Sequence, residues 1–308
     1  MKEILPCRRT GKPERAEPTM SKDLLSRISA DMPHFSKGQK LIARYLIDHY
    51  DKAAFMTASK MGATVGVSES TVVRFASELG FDGYPQLQRT LQELIRNRLT
   101  SVQRIKVTSD QIGDEDVLTK VLNMDIEKIR RTQEEISPEQ FNQAVDAIVS
   151  AKNIYILGVR SSASLAGFLG FYFNHIFPSV RVVNTTSVSE MFEQMIRIDK
   201  DDVFIAISFP RYSQRTVKAA RYARSSGAKV VAITDSHMSP LVEQADHVLF
   251  ARSDMASFVD SLVAPLSLIN ALIVAVGLRN REEISKTFDK LEYIWEEYNV
   301  YEKADGQK

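Results

Sequence analysis

The sequence predicts an α + α/β protein of two domains, an all-α domain followed by a three-layer αβα domain with a five-stranded parallel sheet. Two patterns lead to this prediction. Apolar residues recur at helical spacing, without a strand pattern, as far as residue 99. Short β-branched runs then alternate with helical patterns from residue 153 onward. The length of 308 residues agrees with two domains, since one domain usually takes roughly 100–200 residues.

The order of these patterns sets the expected boundaries. Residues 1–20 contain three prolines and no hydrophobic period, which predicts a disordered tail. The all-α domain is expected over residues 21–99, a linker over 100–113 and the α/β domain over 114–304. The one cysteine, Cys7, lies in the tail, so the chain can form no internal disulfide.

Five helices are expected in the first domain, and most have a clear start or stop signal. Ser36, Thr57 and Ser68 are expected to cap the second, third and fourth helices, because their side-chain oxygens can accept from backbone N–H groups. Gly80 is expected to end the fourth helix, since glycine tolerates the left-handed conformation. Pro85 suits the first turn of the fifth.

Five short apolar runs are expected to form the strands of the second domain. Strands that are buried on both faces and joined by helices pair in parallel, with right-handed crossovers. Two further helices are expected after the last strand. The strand runs are residues 153–158, 181–183, 203–208, 229–234 and 247–251, and the final helices are 256–278 and 282–298.

The segment 57–80, TASKMGATVGVSESTVVRFASELG, has the pattern of a helix-turn-helix. A short helix meets a second one through a turn that contains Gly66. The second helix then presents short polar side chains and one arginine, which suit base edges and phosphates in the major groove of DNA. With two flanking cations for phosphate contacts, the expected DNA-binding residues are Lys60, Ser68, Glu69, Ser70, Thr71, Arg74 and Arg89.

The distribution of charge favours DNA binding over a simple all-α bundle. Residues 1–106 carry 18 Lys and Arg against 11 Asp and Glu, a net charge of +7. The remainder carries 22 against 28, a net charge of −6, so the overall +1 hides the asymmetry. A basic domain of this kind suits a polyanion. Glu69 is the exception, since a carboxylate repels phosphate unless it accepts from a cytosine amino group.

Two loops of the second domain follow predicted strands and open helices, at residues 158–162 and 208–213. Open α/β sheets bind ligands at the carboxyl ends of their strands, and helix N-termini attract anions. The loops therefore predict a site for a small anion, with Thr234 at the end of the next strand as a further polar group. The expected ligand-binding residues are Gly158, Arg160, Ser161, Ser162, Ser208, Arg211, Tyr212, Ser213 and Thr234.

The run over residues 57–88 resembles the N-terminal domain of the RpiR/MurR family of bacterial transcriptional regulators. The matching motifs are T-A-S, G-V-S, T-V-V-R-F and L-G-F-x-G-Y-P-x-L. Gly62 departs from the resemblance, because the family usually has alanine there. Glycine lowers helix propensity by roughly 1 kcal/mol, so we expect a looser first helix in the helix-turn-helix.

The second domain resembles a sugar isomerase (SIS) domain in IYILGVRSS, DVFIAIS and GAKVVAITDSHMSPLVEQADHVL. Together the two resemblances cover about residues 21–300. They imply a DNA-binding regulator, usually a dimer or tetramer, whose SIS domain senses a sugar phosphate or related acid. They also imply that it controls carbohydrate-metabolism genes.

SIS domains bind phosphosugars through a G-x-G-x-S loop and an S-x-S-G-x-[ST] loop. Arg160 replaces the second glycine of the first loop, and Pro210 with Arg211 replaces the Ser-Gly pair of the second. Two interpretations stay open. The arginines bind an anion through guanidinium bonds, or they pair with carboxylates or a partner subunit at an altered site. Tyr212 either stacks on a ligand ring or packs. The positions that match are Gly158, Ser162, Ser208 and Ser213.

We therefore expect a cytoplasmic regulator that binds a pseudo-palindromic operator in double-stranded DNA and a small anionic effector. A homodimer or homotetramer is expected, with no membrane, metal or cofactor. An apolar stripe on the helix 256–278 is expected to be shared between the core and a dimer interface. Its members are Leu262, Leu266, Ile269, Ile273 and Val276.

Two alternatives remain open. One is a phosphosugar isomerase, or another SIS enzyme, with an added nucleic-acid-binding domain. The other is a chromosome-associated protein whose SIS domain serves only dimerisation. Isomerisation needs a general base beside the sugar carbons. Glu190, His237 and His247 are available, but nothing in their spacing marks them, so no catalytic residue is predicted.

Overall fold

The computed structural model of the chain describes residues 24–96, 116–253 and 259–301, together with Val102 and Ile105. The chain divides into two compact units, Met1–Arg98 and Leu99–Lys308. The expected tail over residues 1–20 lies outside the described residues, as does all but two residues of the expected linker over 100–113.

The first unit is helical throughout its described part, and its predicted caps are confirmed. The Ser36 hydroxyl accepts from the N–H of Gln39, and the Thr57 hydroxyl accepts from that of Lys60 at 3.2 Å. Gly80 has a φ of +88° and follows the fourth predicted helix. The helices are α1 (Leu24–Asp31), α2 (Lys37–Asp48), α3 (Tyr50–Ala53), α4 (Ala58–Val65), α5 (Glu69–Glu78) and α6 (Tyr84–Arg96).

The core of this unit is built from one apolar face of each longer helix, as helical spacing predicts. Phe75 of α5 is fully buried, and its ring meets that of Phe35 edge-on with centroids 5.1 Å apart. Arg27 of α1 also donates to the carbonyl oxygen of Leu79, just after α5, at 3.1 Å. The orientation of α5 is therefore fixed by contacts from α1 and from the loop before α2. Other fully buried members are Leu24, Ile28, Ile42, Leu46, Met61, Val72, Leu87 and Leu91.

Gly62 has a different role from the one expected of it. A Cβ atom at Gly62 would lie 2.7 Å from the carbonyl oxygen of Val67, a backbone atom in the turn between α4 and α5. The N–H of Val67 also donates to the carbonyl oxygen of Gly62 at 2.9 Å. The glycine thus lets the turn approach α4 closely. The expectation of a merely looser helix was incomplete, because this tertiary contact offsets the lost propensity.

The second unit contains the predicted five-stranded sheet, which is parallel throughout, with the strand order β2-β1-β3-β4-β5. The fold class predicted from the sequence is confirmed. Its elements are α7 (Val117–Glu135), α8 (Pro138–Val149), β1 (Ile154–Gly158), α9 (Ser162–Ile176), β2 (Val180–Val182), α10 (Val188–Gln194), β3 (Val203–Ile207), α11 (Gln214–Ser225), β4 (Lys229–Thr234), β5 (His247–Phe250), α12 (Val263–Arg279) and α13 (Arg281–Glu297).

Helices cover both faces of this sheet. Alternate side chains of a strand point to opposite faces, so Ile156 and Ile205 belong to one core while Leu157 and Phe204 belong to the other. The first core contains residues of α8, α9 and α12, and the second contains residues of α10 and α11. Consequently the helix after β1 and the helix after β3 lie on opposite faces of the sheet.

The stripe predicted on α12 is largely used inside the unit. Ile269 and Val276 are fully buried, and the other three members pack against the first core. The exposed apolar residues of α12 are instead Val263, Val274 and Leu278. Within the described ranges, no single helix has the length and hydropathy to span a membrane. The helices α12 and α13 meet that test only as a pair, bent by 99°.

Replacing Gly62 with valine is expected to lower the free energy of unfolding by about 1–3 kcal/mol, because the added side chain collides with backbone. Helix propensity alone predicts the opposite sign, since valine is a better helix former than glycine. Urea unfolding of the full chain measures the change. Ala63→Val, at an exposed position on the same helix, is the matched control and is expected to lower stability by less than 1 kcal/mol. A free energy of unfolding that is higher for Gly62→Val than for Ala63→Val would contradict the close approach of the turn to α4.

Candidate DNA-binding and ligand-binding sites

The predicted DNA-binding hydroxyls lie together at the N-terminus of α5. The Ser68 hydroxyl caps the helix by accepting from the N–H of Thr71 at 3.3 Å. It also lies 2.9 Å from the Ser70 hydroxyl and 2.8 Å from the Thr71 hydroxyl. Glu69 is exposed in the first turn, where a negative charge is favourable beside the helix N-terminus. The start of α5 is therefore a compact polar end that suits base edges or phosphates.

Arg74 lies one turn further along α5 and is exposed. Its Nε donates to the carbonyl oxygen of Ser70 at 3.3 Å, which draws the side chain back toward the polar end of the helix. This contact leaves the two terminal guanidinium nitrogens to fork onto a guanine or a phosphate. Lys60 on α4 and Arg89 on α6 are also exposed, but they lie on neighbouring helices, outside the hydroxyl cluster.

Val73 is a candidate that the sequence analysis missed. It is exposed on α5, three residues after Ser70 and next to Arg74. An apolar side chain on a major-groove helix can contact the methyl group of thymine. Its helical spacing could have predicted this exposure. Val73 lies on the same side of α5 as Ser70 and Ser77, and not on the buried side with Val72.

The predicted ligand-binding loops meet at the carboxyl edge of the sheet. Gly158 at the end of β1 pairs with Ile207 of β3, and Ile207 pairs with Ile233 of β4. The helices after β1 and β3 leave this edge toward opposite faces. The carboxyl ends of these two neighbouring strands therefore form a topological switch point. Open α/β sheets place their ligands in the crevice at such a point.

The first loop turns sharply from β1 into α9. A Cβ atom at Gly158 would lie 2.2 Å from the carbonyl oxygen of Ser162, so the turn requires glycine at its start. Ser162 is buried, whereas Ser161 is exposed at the N-cap position of α9 and makes no side-chain capping bond. The N–H groups of Ala163 and Ser164 donate instead to the backbone carbonyl oxygens of Arg160 and Ser161, at 3.0 and 3.3 Å.

Arg160, in the middle of this loop, is exposed and has a φ of +59°, in the left-handed region that favours glycine. Its backbone therefore has a conformation that suits the glycine of the SIS pattern. In the described part of the chain, neither Arg160 nor Arg211 has a carboxylate within 4 Å. Pairing with carboxylates of the same chain, one of the two interpretations left open above, is therefore not seen there.

The second loop is held by its own polar groups. The buried Ser208 hydroxyl accepts from the N–H of Ser213 at 3.2 Å, and Ser213 makes no side-chain cap on α11. The Tyr212 hydroxyl donates to the Asp235 carboxylate at 2.9 Å. Thr234 is fully buried and donates to the carbonyl oxygen of Ser208 at 2.8 Å. With no exposed surface, Thr234 holds the loop in place rather than facing the crevice.

Hydrogen bonds continue from this loop across the sheet to α7. The N–H of Ala251 donates to the carbonyl oxygen of Thr234 at 2.8 Å. The next N–H, of Arg252, donates to the Thr132 hydroxyl of α7 at 2.9 Å. The Arg252 guanidinium then makes two 2.6 Å bonds to the carboxylate of Glu135. The ligand edge is thus connected to the helix that opens the described part of the second unit.

The three candidate general bases lie on different segments of the second unit. Glu190 on α10 follows β2 and is hydrogen-bonded to Thr185. His237 follows β4, and its ring packs on Phe250 with centroids 4.3 Å apart. His247 begins β5, at the amino edge of the sheet opposite the loops. Burial lowers the pKa of His247 from its usual 6.5, and the nearby Asp246 carboxylate partly opposes that shift.

Comparison with known proteins agrees with this architecture. A model of the helix-turn-helix domain of the rpiR family matches residues 22–98, and a model of the SIS domain matches residues 147–275. The chain therefore contains a helix-turn-helix domain of the rpiR family followed by an SIS domain. The chain is 25% identical over 264 residues to the HTH-type transcriptional regulator HexR of Pseudomonas aeruginosa. This match covers 84% of the chain and 90% of HexR. An HTH-type regulator of Clostridium perfringens is 28% identical, covering 70% of this chain and 76% of that protein.

Solved structures have the same fold. The sugar isomerase domain of an RpiR transcription factor from Sphaerobacter thermophilus is 27% identical, with a TM-score of 0.55. It covers 58% of this chain and 99% of that domain. The Vibrio vulnificus NanR protein, complexed with ManNAc-6P, is 21% identical with a TM-score of 0.55 and covers 88% of this chain and 97% of NanR. With these two domains and these relatives, the chain is a transcriptional regulator with a helix-turn-helix and an SIS domain.

Arg160→Gly is expected to raise the free energy of unfolding by about 0.5–1 kcal/mol. Glycine removes the steric penalty of the left-handed conformation, which exceeds the chain entropy that it adds. Arg211→Gly is the matched control. Its backbone is not left-handed, so the same exchange is expected to lower stability by about 0.5–1 kcal/mol. Urea midpoints of both variants check the signs, and a destabilising Arg160→Gly would contradict the strain at this position.

Proposed function

We propose that this regulator binds a pseudo-palindromic operator as a homo-oligomer and responds to a small anionic metabolite, a sugar phosphate or related acid. We further propose that it controls genes of carbohydrate metabolism. One observation supports the ligand class most directly. At the switch point, two arginines that have no carboxylate within 4 Å among the described residues lie beside two helix N-termini that lack side-chain caps.

The chemistry of these groups suits a phosphate or carboxylate. A guanidinium forms two parallel bonds to such an anion, and helix N-terminal N–H groups attract negative charge. Arg160 and Arg211 supply the guanidinium groups, and the starts of α9 and α11 supply the helix N-termini. The ligand of the Vibrio vulnificus NanR protein, ManNAc-6P, carries a phosphate of this class. In this proposal, guanidinium donors replace backbone donors that are lost where Pro210 stands.

The α5 surface supports sequence-specific DNA binding. Its exposed stripe offers three hydroxyls, one arginine and one valine, the side chains that read base edges in the major groove. Its buried stripe is fixed on the rest of the unit, so the readout surface is rigid. A two-fold oligomer would present two such helices to the two half-sites of an operator.

We also propose that the SIS domain of this chain is not catalytic. The relatives named above are transcriptional regulators. The candidate bases Glu190 and His237 follow different strands, and His247 begins at the opposite edge of the sheet. Aldose–ketose isomerisation needs one such group within reach of the bound sugar. Turnover of a phosphosugar that is lost in Glu190→Gln would favour the isomerase alternative.

Arg74→Ala is expected to change the sequence preference for DNA, because one side chain that reads a base edge is removed. Sites selected from random DNA by the wild-type chain should share a palindrome. The variant should bind that palindrome at least roughly 10-fold more weakly and discriminate less at one position of each half-site. Arg89→Ala serves as the comparison, since loss of a phosphate contact should weaken all sequences alike and reduce the salt dependence. An unchanged preference in Arg74→Ala would contradict the role of α5.

A thermal-shift screen of phosphosugars, sugar acids and nucleotides is expected to find one class that raises Tm, because binding stabilises the folded state by mass action. The shift should be lost in Arg160→Gly and in Arg211→Ala. Arg221→Ala, at an exposed arginine near the far end of α11, should keep it. Retention of the full shift in both loop variants would assign the ligand to other residues. Absence of any shift across the three classes would contradict the proposed effector.

A further inference from the structure

The helix α2 carries three cations on one side. Lys37 and Arg44 are exposed and Lys40 is half-buried. They are three and four residues apart, so they are neighbours on the helix surface. The buried residues of α2, among them Ile42 and Leu46, lie on its other side. We call the three cations the α2 basic row.

The α2 basic row has no acidic partner in the described part of the chain. Residues 32–47 contain no Asp or Glu. Asp48 lies four residues after Arg44, a spacing at which helical ion pairs form. Even so, no carboxylate of a described residue lies within 4 Å of Lys37, Lys40 or Arg44. Three positive charges are therefore left without a neutralising contact among these residues.

The stability of α2 gives no reason for this arrangement. Lys40 and Arg44 are like charges four residues apart, which destabilise a helix. Lys37 and Lys40 also lie among the first four residues, where the helix N-terminus favours anions, and α2 has no acidic residue there. The helix α5, by contrast, begins with Glu69. A bound polyanion would offset both repulsions in α2.

The first turn of α2 packs along α5. A Cβ atom at Gly38 would lie 3.5 Å from side-chain carbons of both Val67 and Thr71, at the start of the reading helix. The next residue, Gln39, donates from its side-chain amide to the carboxylate of Glu78 on α5. The α2 basic row therefore begins in the turn that contacts the DNA-reading helix.

The length of the row suits a nucleic-acid backbone. Seven residues separate Lys37 from Arg44, which is roughly 10 Å along a helix. Each strand of DNA carries one phosphate per about 3.4 Å of its axis, so this distance matches roughly three phosphates. A helix in the major groove lies between two phosphate strands. A second helix packed along its side can therefore reach one of them.

We propose that the α2 basic row binds the phosphates of the strand beside the groove that α5 enters. The proposal rests on the operator binding proposed above and deepens it by naming a second DNA-contacting surface. Phosphate contacts fix register and orientation but do not read sequence. The row accordingly positions α5 on the duplex, and the side chains of α5 select the bases.

The triple variant Lys37→Gln, Lys40→Gln and Arg44→Gln tests this role. Fluorescence anisotropy with the palindrome selected by the wild type measures affinity as a function of salt. The slope of log K against log salt should fall in magnitude by about 1 per cation in each bound copy. Affinity at low salt should fall roughly 10-fold or more, while the preferred sequence stays the same. The urea midpoint should not fall, because the substitutions remove like-charge repulsion.

Two control variants separate a phosphate contact from a general effect of charge. Lys218→Gln with Arg221→Gln and Lys290→Gln makes the same change in net charge at exposed positions of the second unit and should keep the wild-type slope. Lys37→Arg with Lys40→Arg keeps the charge of the row and should also keep the slope.

The outcomes distinguish this proposal from the function on which it rests. A wild type that selects no shared palindrome would overturn the proposed operator binding, and the role of the row with it. A shared palindrome with an unchanged salt slope in the triple glutamine variant would overturn the row alone. An equal loss of slope in the second-unit control would do the same. A lower urea midpoint in the glutamine variant would assign the cations to the fold instead.

Discussion

The pairing of β1 with β3 is the contact on which the candidate ligand site depends. These strands are adjacent in the sheet although β2 lies between them in the chain. Their following helices therefore pack on opposite faces, and the loops that lead into those helices separate at the carboxyl edge. Arg160 and Arg211 lie in these two diverging loops. Side chains of β1 and β3 fill both cores, so the packing that stabilises the unit also fixes the site.

The two units use helix N-termini in opposite ways. In α5, Ser68 accepts from an N–H of its own helix and keeps two more hydroxyls beside it. The helix start is thus internally satisfied and presents side chains. In α9 and α11, the serines at the N-cap make no such bond. The N–H groups there bond within their own loops instead: those of Ala163 and Ser164 donate to the carbonyl oxygens of Arg160 and Ser161, and that of Ser213 donates to the Ser208 hydroxyl.

Signals that act over a few residues were sufficient to predict the sheet, the caps and the helix-turn-helix. Ser36 and Thr57 act on N–H groups three residues away, and β-branched runs form buried strands wherever helices separate them. Roles that depend on distant segments could not be predicted. The clash at Gly62 depends on the path of a turn, and the burial of Thr234 depends on a neighbouring strand. The inner face of α7 is set by residues more than a hundred positions away in sequence, as in the bond between Arg252 and Thr132.

The left-handed backbone at Arg160 lowers the stability of this protein, while its side chain is proposed to bind the effector. Directed evolution for heat tolerance would favour glycine at this position, because glycine adopts that conformation without steric penalty. The same exchange removes one of the two guanidinium groups assigned to the effector. A thermostable descendant would then bind its operator and ignore its metabolite. Under the proposed function, stability and responsiveness are selected in opposite directions at this position.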